Sequence, residues 1–124
     1  MIQLIMGIDA LCAKLAMLAL VIVSAKFVSK RIKIKVLDRF LMNVHRPAGY
    51  VLVGTGVIHM VLSFSQVSTT AVLAYVVGFI SLVAIIAAIL AFYKKNKVGG
   101  RWIVWHRIFT VIAMITVVLH PMLR

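Results

Sequence analysis

Four long apolar segments constrain the fold of this chain more than any other feature. They cover residues 4–25, 48–67, 70–93 and 103–121. Each is close to the ~20 residues that a helix needs to cross a bilayer. A transmembrane β-barrel would alternate apolar and polar residues, and these segments do not. We therefore predict an all-α fold, in which residues 1–124 form a single transmembrane domain built as a bundle of four helices.

Composition agrees with a membrane location. Of the 124 residues, 65% are hydrophobic and 13% are charged, whereas a soluble domain is typically about half apolar and a quarter charged. The basic residues follow the first apolar segment instead of preceding it, so we do not expect this segment to be a cleaved signal peptide. These properties predict a multi-pass protein of the cell (inner) membrane.

Basic residues are concentrated in two of the three connections. The stretch from Lys26 to Arg46 holds seven Lys or Arg, the connection after the third span is also basic, and residues 65–69 hold none. The positive-inside rule then places both basic connections in the cytoplasm and both termini outside. The net charge of +12 fits contact with anionic lipid, and also docking of an acidic cytoplasmic partner. We expect no nucleic-acid binding, because the charge borders membrane spans.

Two features of the basic connections predict local structure. Between 36 and 44, apolar residues recur at helical spacing, which predicts a short interfacial helix before the second span. Gly99 and Gly100 predict a turn before the fourth span. Trp102 and Trp105 follow that turn, where indoles favour the membrane interface.

The four histidines of the chain form two pairs with the same spacing. His45 and His59 are fourteen residues apart, and so are His106 and His120. Fourteen residues make nearly four helical turns, so the members of a pair share one helix face and lie about 21 Å apart along it. In the predicted topology the second and fourth spans run in the same direction. His45 therefore meets His106 near the cytoplasm, and His59 meets His120 near the outer surface. This arrangement predicts two haems, one above the other between these two helices.

An internal repeat supports the pairing. Arg46 follows His45, Arg107 follows His106, and Leu62 aligns with Leu123 without a gap. Each half of the chain contains one span, a basic connection and a two-histidine span. Parallel repeats about an axis along the membrane normal are a known way to build membrane proteins.

The histidines have two alternative roles, hydrogen bonding in the core and binding of a zinc or copper ion. A membrane histidine can simply make hydrogen bonds in the core, although an ionisable residue in a span is a functional candidate by default. Zinc or copper also binds imidazole, but the 21 Å spacing of about four helical turns prevents one ion from sharing both histidines of a span. Further metal ligands are scarce, since Cys12 is the one cysteine and Asp9 and Asp38 are the two acids.

The histidine motifs resemble the ferric reductase-like transmembrane domain. The resemblance is carried by His45-Arg46-Pro47-Ala48-Gly49-Tyr50 through His59, and by Trp105-His106-Arg107 through His120. It implies two b-type haems with His45, His59, His106 and His120 as axial iron ligands. It also implies that Arg46 and Arg107 lie near the propionates of the cytoplasmic haem, since an arginine can hold a carboxylate through two hydrogen bonds.

The chain also departs from that family, because members usually have six spans and often carry fused flavin and nicotinamide domains. No Gly-rich dinucleotide motif is present in this sequence. We therefore expect electrons to come from a cytoplasmic flavoprotein or a quinol and to pass to an extracytoplasmic reductase. The chain would then be an electron-transfer subunit. A second copy of the chain, in a homo-oligomer, is a further candidate partner. The alternatives are a stand-alone surface reductase of iron or another small oxidant, and a non-haem transporter or structural subunit.

Lys14 is the one Lys or Arg well inside an apolar span. It precedes Lys26 by twelve residues, which places it about 18 Å from the cytoplasmic edge and near the level of the outer histidines. A charge at this depth is costly unless it is paired or reaches water. We predict that Lys14 faces the outer haem and its propionate. The competing interpretation is that the side chain snorkels to the outer interface.

Overall fold

The computed structural model describes residues 1–66 and 71–123, and within these ranges it is helical without any strand. Its α-helices are α1 Ile2–Ile32, α2 Lys35–Phe64, α3 Val72–Tyr93, α4 Lys95–Val98 and α5 Trp102–Leu119. Short 3₁₀ turns cover Gly99–Arg101 and His120–Leu123. The predicted all-α fold is confirmed.

Four helical stretches are long and apolar enough to cross a membrane. They are Ile2–Ile32, Lys35–Phe64, Val72–Tyr93 and Lys95–Leu123. Many of their large apolar side chains are exposed on the surface of the protein. Such a surface is unfavourable in water but is matched by the lipid chains of a bilayer. The prediction of four apolar helices, consistent with a multi-pass membrane protein, is therefore confirmed.

The helices extend further than the apolar segments predict. α1 continues to Ile32, and α2 already begins at Lys35. The expected interfacial helix over residues 36–44 is therefore the first part of α2, which continues through Pro47. Lys, Arg and Leu are good helix formers, so the backbone hydrogen bonds continue where the apolar pattern stops. The predicted span ends at 67 and 70 lie outside the described residues.

The turn between α1 and α2 is held by an ion pair between a buried lysine and a partly exposed aspartate. Lys33 closes α1 in the left-handed conformation, with φ 60°, and its N–H donates to the Ser29 carbonyl. The ammonium group of Lys26, which is buried, pairs with the Asp38 carboxylate. Ser29 donates a hydrogen bond of 3.0 Å to the same carboxylate oxygen. Both helices are thereby fixed at the turn.

The chain divides into two compact units, Met1–His59 and Met60–Arg124. In the first unit α1 and α2 run antiparallel, since Asp9 pairs with His59 at one end and Lys26 with Asp38 at the other.

In the second unit α3 and α5 run antiparallel, with small buried residues between them, including Ala74, Ala84, Ala88 and Ala113. Small side chains let two membrane helices approach closely.

Candidate functional site

His59 on α2 is held by a carboxylate on α1. Its Nδ1 atom lies 2.7 Å from Oδ1 of Asp9. Asp9 is buried, with 7% of its surface exposed, and the His59 side chain is 20% exposed. The carboxylate accepts the hydrogen bond, so the Nδ1 atom carries the proton when the imidazole is neutral.

The two histidines of α5 are held by backbone carbonyls of α3. His106 Nδ1 lies 2.8 Å from the Ala88 carbonyl oxygen, and His120 Nδ1 lies 2.7 Å from that of Ala74. Ala74 and Ala88 are themselves fourteen residues apart. The spacing of the histidines is therefore matched by the spacing of their acceptors on the antiparallel helix.

These hydrogen bonds determine which ring nitrogen can bind a metal. A carbonyl oxygen only accepts, so Nδ1 of His106 and His120 must carry the proton. A neutral imidazole then has its lone pair on Nε2. Histidines that bind metals almost always donate their other N–H to a carboxylate, a carbonyl or water, which fixes the tautomer and the ring orientation. Three of the four histidines meet this condition.

His45, the remaining histidine, lies on α2 close to the cytoplasmic end predicted for that helix. Its side chain is half-buried, and its Nδ1 atom is shielded from solvent. On α1, the hydroxyl of Ser24 is also shielded. In the antiparallel register set by Asp9 and His59, the residue of α1 level with His45 is Val23, next to Ser24. At the level of His45, α1 therefore has the hydroxyl of Ser24 and no acidic side chain.

Gly78 provides the space that the His120 ring occupies. A Cβ atom added at Gly78 would lie 2.9 Å from Nδ1 and 3.0 Å from Cε1 of His120. Contacts that short do not occur in relaxed structures, so a larger side chain at 78 would displace the ring. Sequence reasoning missed both Gly78 and the Asp9–His59 contact. An acid within an apolar span was a signal for the second, whereas Gly78 gave no such signal.

The helix faces between the histidines have an apolar surface despite their threonines. By helical periodicity these faces include Gly49, Leu52, Thr55 and Gly56 on α2, and Phe109, Thr110, Ala113 and Thr116 on α5. The hydroxyls of Thr55, Thr110 and Thr116 donate to carbonyls of their own helices, at 2.7, 2.7 and 2.8 Å. Their hydrogen bonds are thus satisfied locally. A flat apolar molecule could lie against such a face without leaving a polar group unpaired.

The three predicted cationic residues are all exposed. They are Arg46 on α2, Arg107 on α5 and Lys14 on α1. Exposed side chains are accessible to lipid headgroups and to the carboxylates of a bound group, so their predicted propionate contacts stay predictions.

The predicted ligand pairs are distributed over both units. His45 and His59 belong to the first unit, and His106 and His120 to the second. Within residues 1–66 and 71–123, no three His, Cys, Asp or Glu side chains form a group that could hold a metal ion. A bis-histidine haem needs only two protein ligands for each iron, so the pairing of the histidines stays a prediction.

Comparisons of this chain with protein-family models, curated proteins and solved structures find no match.

Proposed function

We propose that this protein is a small dihaem cytochrome b that transfers electrons across the membrane. The observation that supports this most directly is the hydrogen bonding of His59, His106 and His120, each through Nδ1. It leaves Nε2, the nitrogen needed for axial ligation, with the lone pair. Histidines that served only as hydrogen-bonding core residues would not need a spacing of fourteen repeated on two helices.

The proposed ligand pairs follow from the sequence topology. His45 and His106 would bind the cytoplasmic haem, and His59 and His120 the outer one. Haem iron with two imidazole ligands carries one electron at a time between the ferric and ferrous states. With two histidines holding each iron, the haem would supply electron transfer and not the binding of small molecules.

The chain's own residues have three tasks in this function. The histidines would hold the two irons, and their Nδ1 partners would fix the ring orientations. The hydroxyls of Thr55 and Thr110, bonded within their own helices, would leave no unpaired polar group facing the macrocycle. Exposed Arg46 and Arg107 provide positive charge for propionates.

The electron donor is proposed from the charge of the basic connections. No dinucleotide-binding motif is present in the sequence. We propose a cytoplasmic flavoprotein or a quinol as donor and an extracytoplasmic reductase as acceptor. The basic residues of α4 and its flanks, Lys94, Lys95, Lys97 and Arg101, give an acidic donor a complementary surface.

Haem content and electron transfer across a sealed membrane test this function. The purified protein should show a b-type α-band on reduction and two haems per chain. In vesicles that enclose ferricyanide, external dithionite should reduce the enclosed ferricyanide only when the protein is present. A protein in which all four histidines are alanine is the control, and it should be colourless and inactive. A colourless wild-type protein would contradict the proposal. Reduction of external iron chelates by the isolated chain would instead indicate a stand-alone reductase.

A further inference from the structure

We infer that Asp9 is a positioning residue that lowers the reduction potential of the outer haem through His59. This inference rests on the proposed function, because it concerns the site that His59 would help to form. The observation that carries it is the 2.7 Å contact between the Asp9 carboxylate and Nδ1 of His59. Asp9 would not touch the haem, and it would act entirely through the ligand.

Of the two acidic residues in the sequence, Asp9 is the one in contact with a histidine. The chain contains two acidic residues, Asp9 and Asp38. Asp38 is occupied at the turn between α1 and α2, where it accepts hydrogen bonds from Lys26 and Ser29. Asp9 is therefore the one carboxylate that this chain can devote to a histidine.

The hydrogen-bond partners of the histidines differ in charge. His106 and His120 donate to neutral backbone carbonyls, whereas His59 donates to a carboxylate. On α1 no charged residue occurs between Lys14 and Lys26, the stretch that includes the level of His45. The proposed cytoplasmic pair thus lacks a carboxylate from α1. The proposed outer pair has one carboxylate and one carbonyl.

A carboxylate changes the ligand more than a carbonyl does. It accepts a stronger, charge-assisted hydrogen bond and draws the Nδ1 proton toward itself, which increases electron density at Nε2. The ferric centre carries one more positive charge than the ferrous centre, so a more basic ligand and a nearby anion both favour the ferric form. The low dielectric around a buried Asp9 strengthens the electrostatic part. The reduction potential of the outer haem should therefore be lower than that of a haem whose two histidines both donate to backbone carbonyls.

The position of Asp9 in the helix is difficult to explain as ordinary packing. A charge within a membrane span is expensive and usually functional. Lys14, the nearest Lys or Arg along the sequence, lies five residues away, about 140° around the helix at 3.6 residues per turn, and its side chain is exposed. A neutral residue at position 9 would avoid the cost of burying the carboxylate. The consequence of keeping the acid is an outer haem that donates electrons more readily to its acceptor.

Redox titration of the full-length protein with Asp9→Asn tests the inference. Asparagine keeps the size and the acceptor oxygen but removes the charge. We expect the outer haem to become easier to reduce by about tenfold in its ferric–ferrous equilibrium, which is 59 mV for a one-electron couple. The cytoplasmic haem should be unchanged. Asp38→Asn is the matched control, because it makes the same charge change at the other acid, and both potentials should stay at their wild-type values.

The outcomes distinguish this inference from the proposed function. If the wild-type protein binds no haem, the proposed function fails. If both haems bind and Asp9→Asn lowers thermal stability without changing the outer potential, Asp9 is only structural and the inference fails. Should the Asn variant retain too little haem to titrate, Asp9→Ser and Asp9→Glu replace it. A raised outer potential with Ser and a wild-type potential with Glu support the inference, and equal potentials in both variants overturn it.

Discussion

Gly78 on α3 lies directly against the imidazole of His120 on α5, and a Cβ atom at this position would lie 2.9 Å from Nδ1. The same ring is bonded to the Ala74 carbonyl, one turn earlier on α3. The ring is therefore held by a hydrogen bond to Ala74 and by close packing against Gly78, which has no side chain. An imidazole confined on two sides keeps its orientation, which axial ligation of an iron requires.

Gly78→Ala should disrupt the outer site. The added methyl group forces the His120 ring away from α3, so we expect loss of one of the two proposed haems or a clear shift of its potential. Gly54→Ala is the control, since Gly54 is a helical glycine with nothing within 4 Å of the added atom. Alanine should even favour the helix there, by about 1 kcal/mol. Haem content per chain measures both variants, and equal haem content and potentials would contradict the role of Gly78.

Double substitutions test the pairing of the histidines. His45→Ala with His106→Ala should remove one haem and leave one, because both would belong to the cytoplasmic site. His59→Ala with His120→Ala should likewise leave one. His45→Ala with His120→Ala should leave none, since each site then loses a ligand. Quantified haem per chain separates these cases. One retained haem in the His45/His120 variant would show that the parallel pairing is wrong.

Arg107→Gln should shift the potential of the cytoplasmic haem. The guanidinium next to His106 would offset the negative charge of a propionate, which favours the reduced haem. Its removal should therefore lower that potential and leave the outer haem unchanged. Lys95→Gln is the control, because it removes the same charge from an exposed position on α4. Equal small shifts in both variants would leave Arg107 as a topological anchor.

Lys14→Met should affect the outer haem in the direction opposite to Asp9→Asn. If the exposed ammonium group of Lys14 contacts an outer propionate, its loss removes a positive charge and lowers the outer potential. Potentiometry with both haems resolved measures the sign. Unchanged potentials would mean that the side chain snorkels to the outer interface.

The ion pair at the turn should respond asymmetrically to substitution. The Lys26 side chain is 9% exposed and that of Asp38 is 41% exposed. Asp38→Ala leaves a buried ammonium without its counter-ion, whereas Lys26→Met leaves a carboxylate that water can reach. Removing one partner of a buried pair is costly chiefly through the charge left behind. Thermal unfolding in detergent should show the larger loss for Asp38→Ala, and a larger loss for Lys26→Met would contradict this account.

The amino-acid sequence by itself determined the class of fold and the histidine faces. Four apolar segments of sufficient length leave helices as the solution, and a spacing of fourteen places His106 and His120 on one face of α5 whatever surrounds it. Helix ends were less predictable. Lipid exposure sets the apolar pattern, but backbone hydrogen bonding continues into the basic residues. As a result α1 extends to Ile32, and the expected interfacial helix is part of α2.

Only the tertiary structure decided what holds each imidazole. Helical periodicity fixes the face of a residue but not which residue of the neighbouring helix lies at the same level. That level depends on the length of the turn and on how closely the helices approach. In the first unit the turn at Lys33 brings Asp9 level with His59. In the second, small residues and Gly78 let α3 approach until its carbonyls reach His106 and His120. Backbone acceptors have no sequence signature, so their contribution could not be read from residue types.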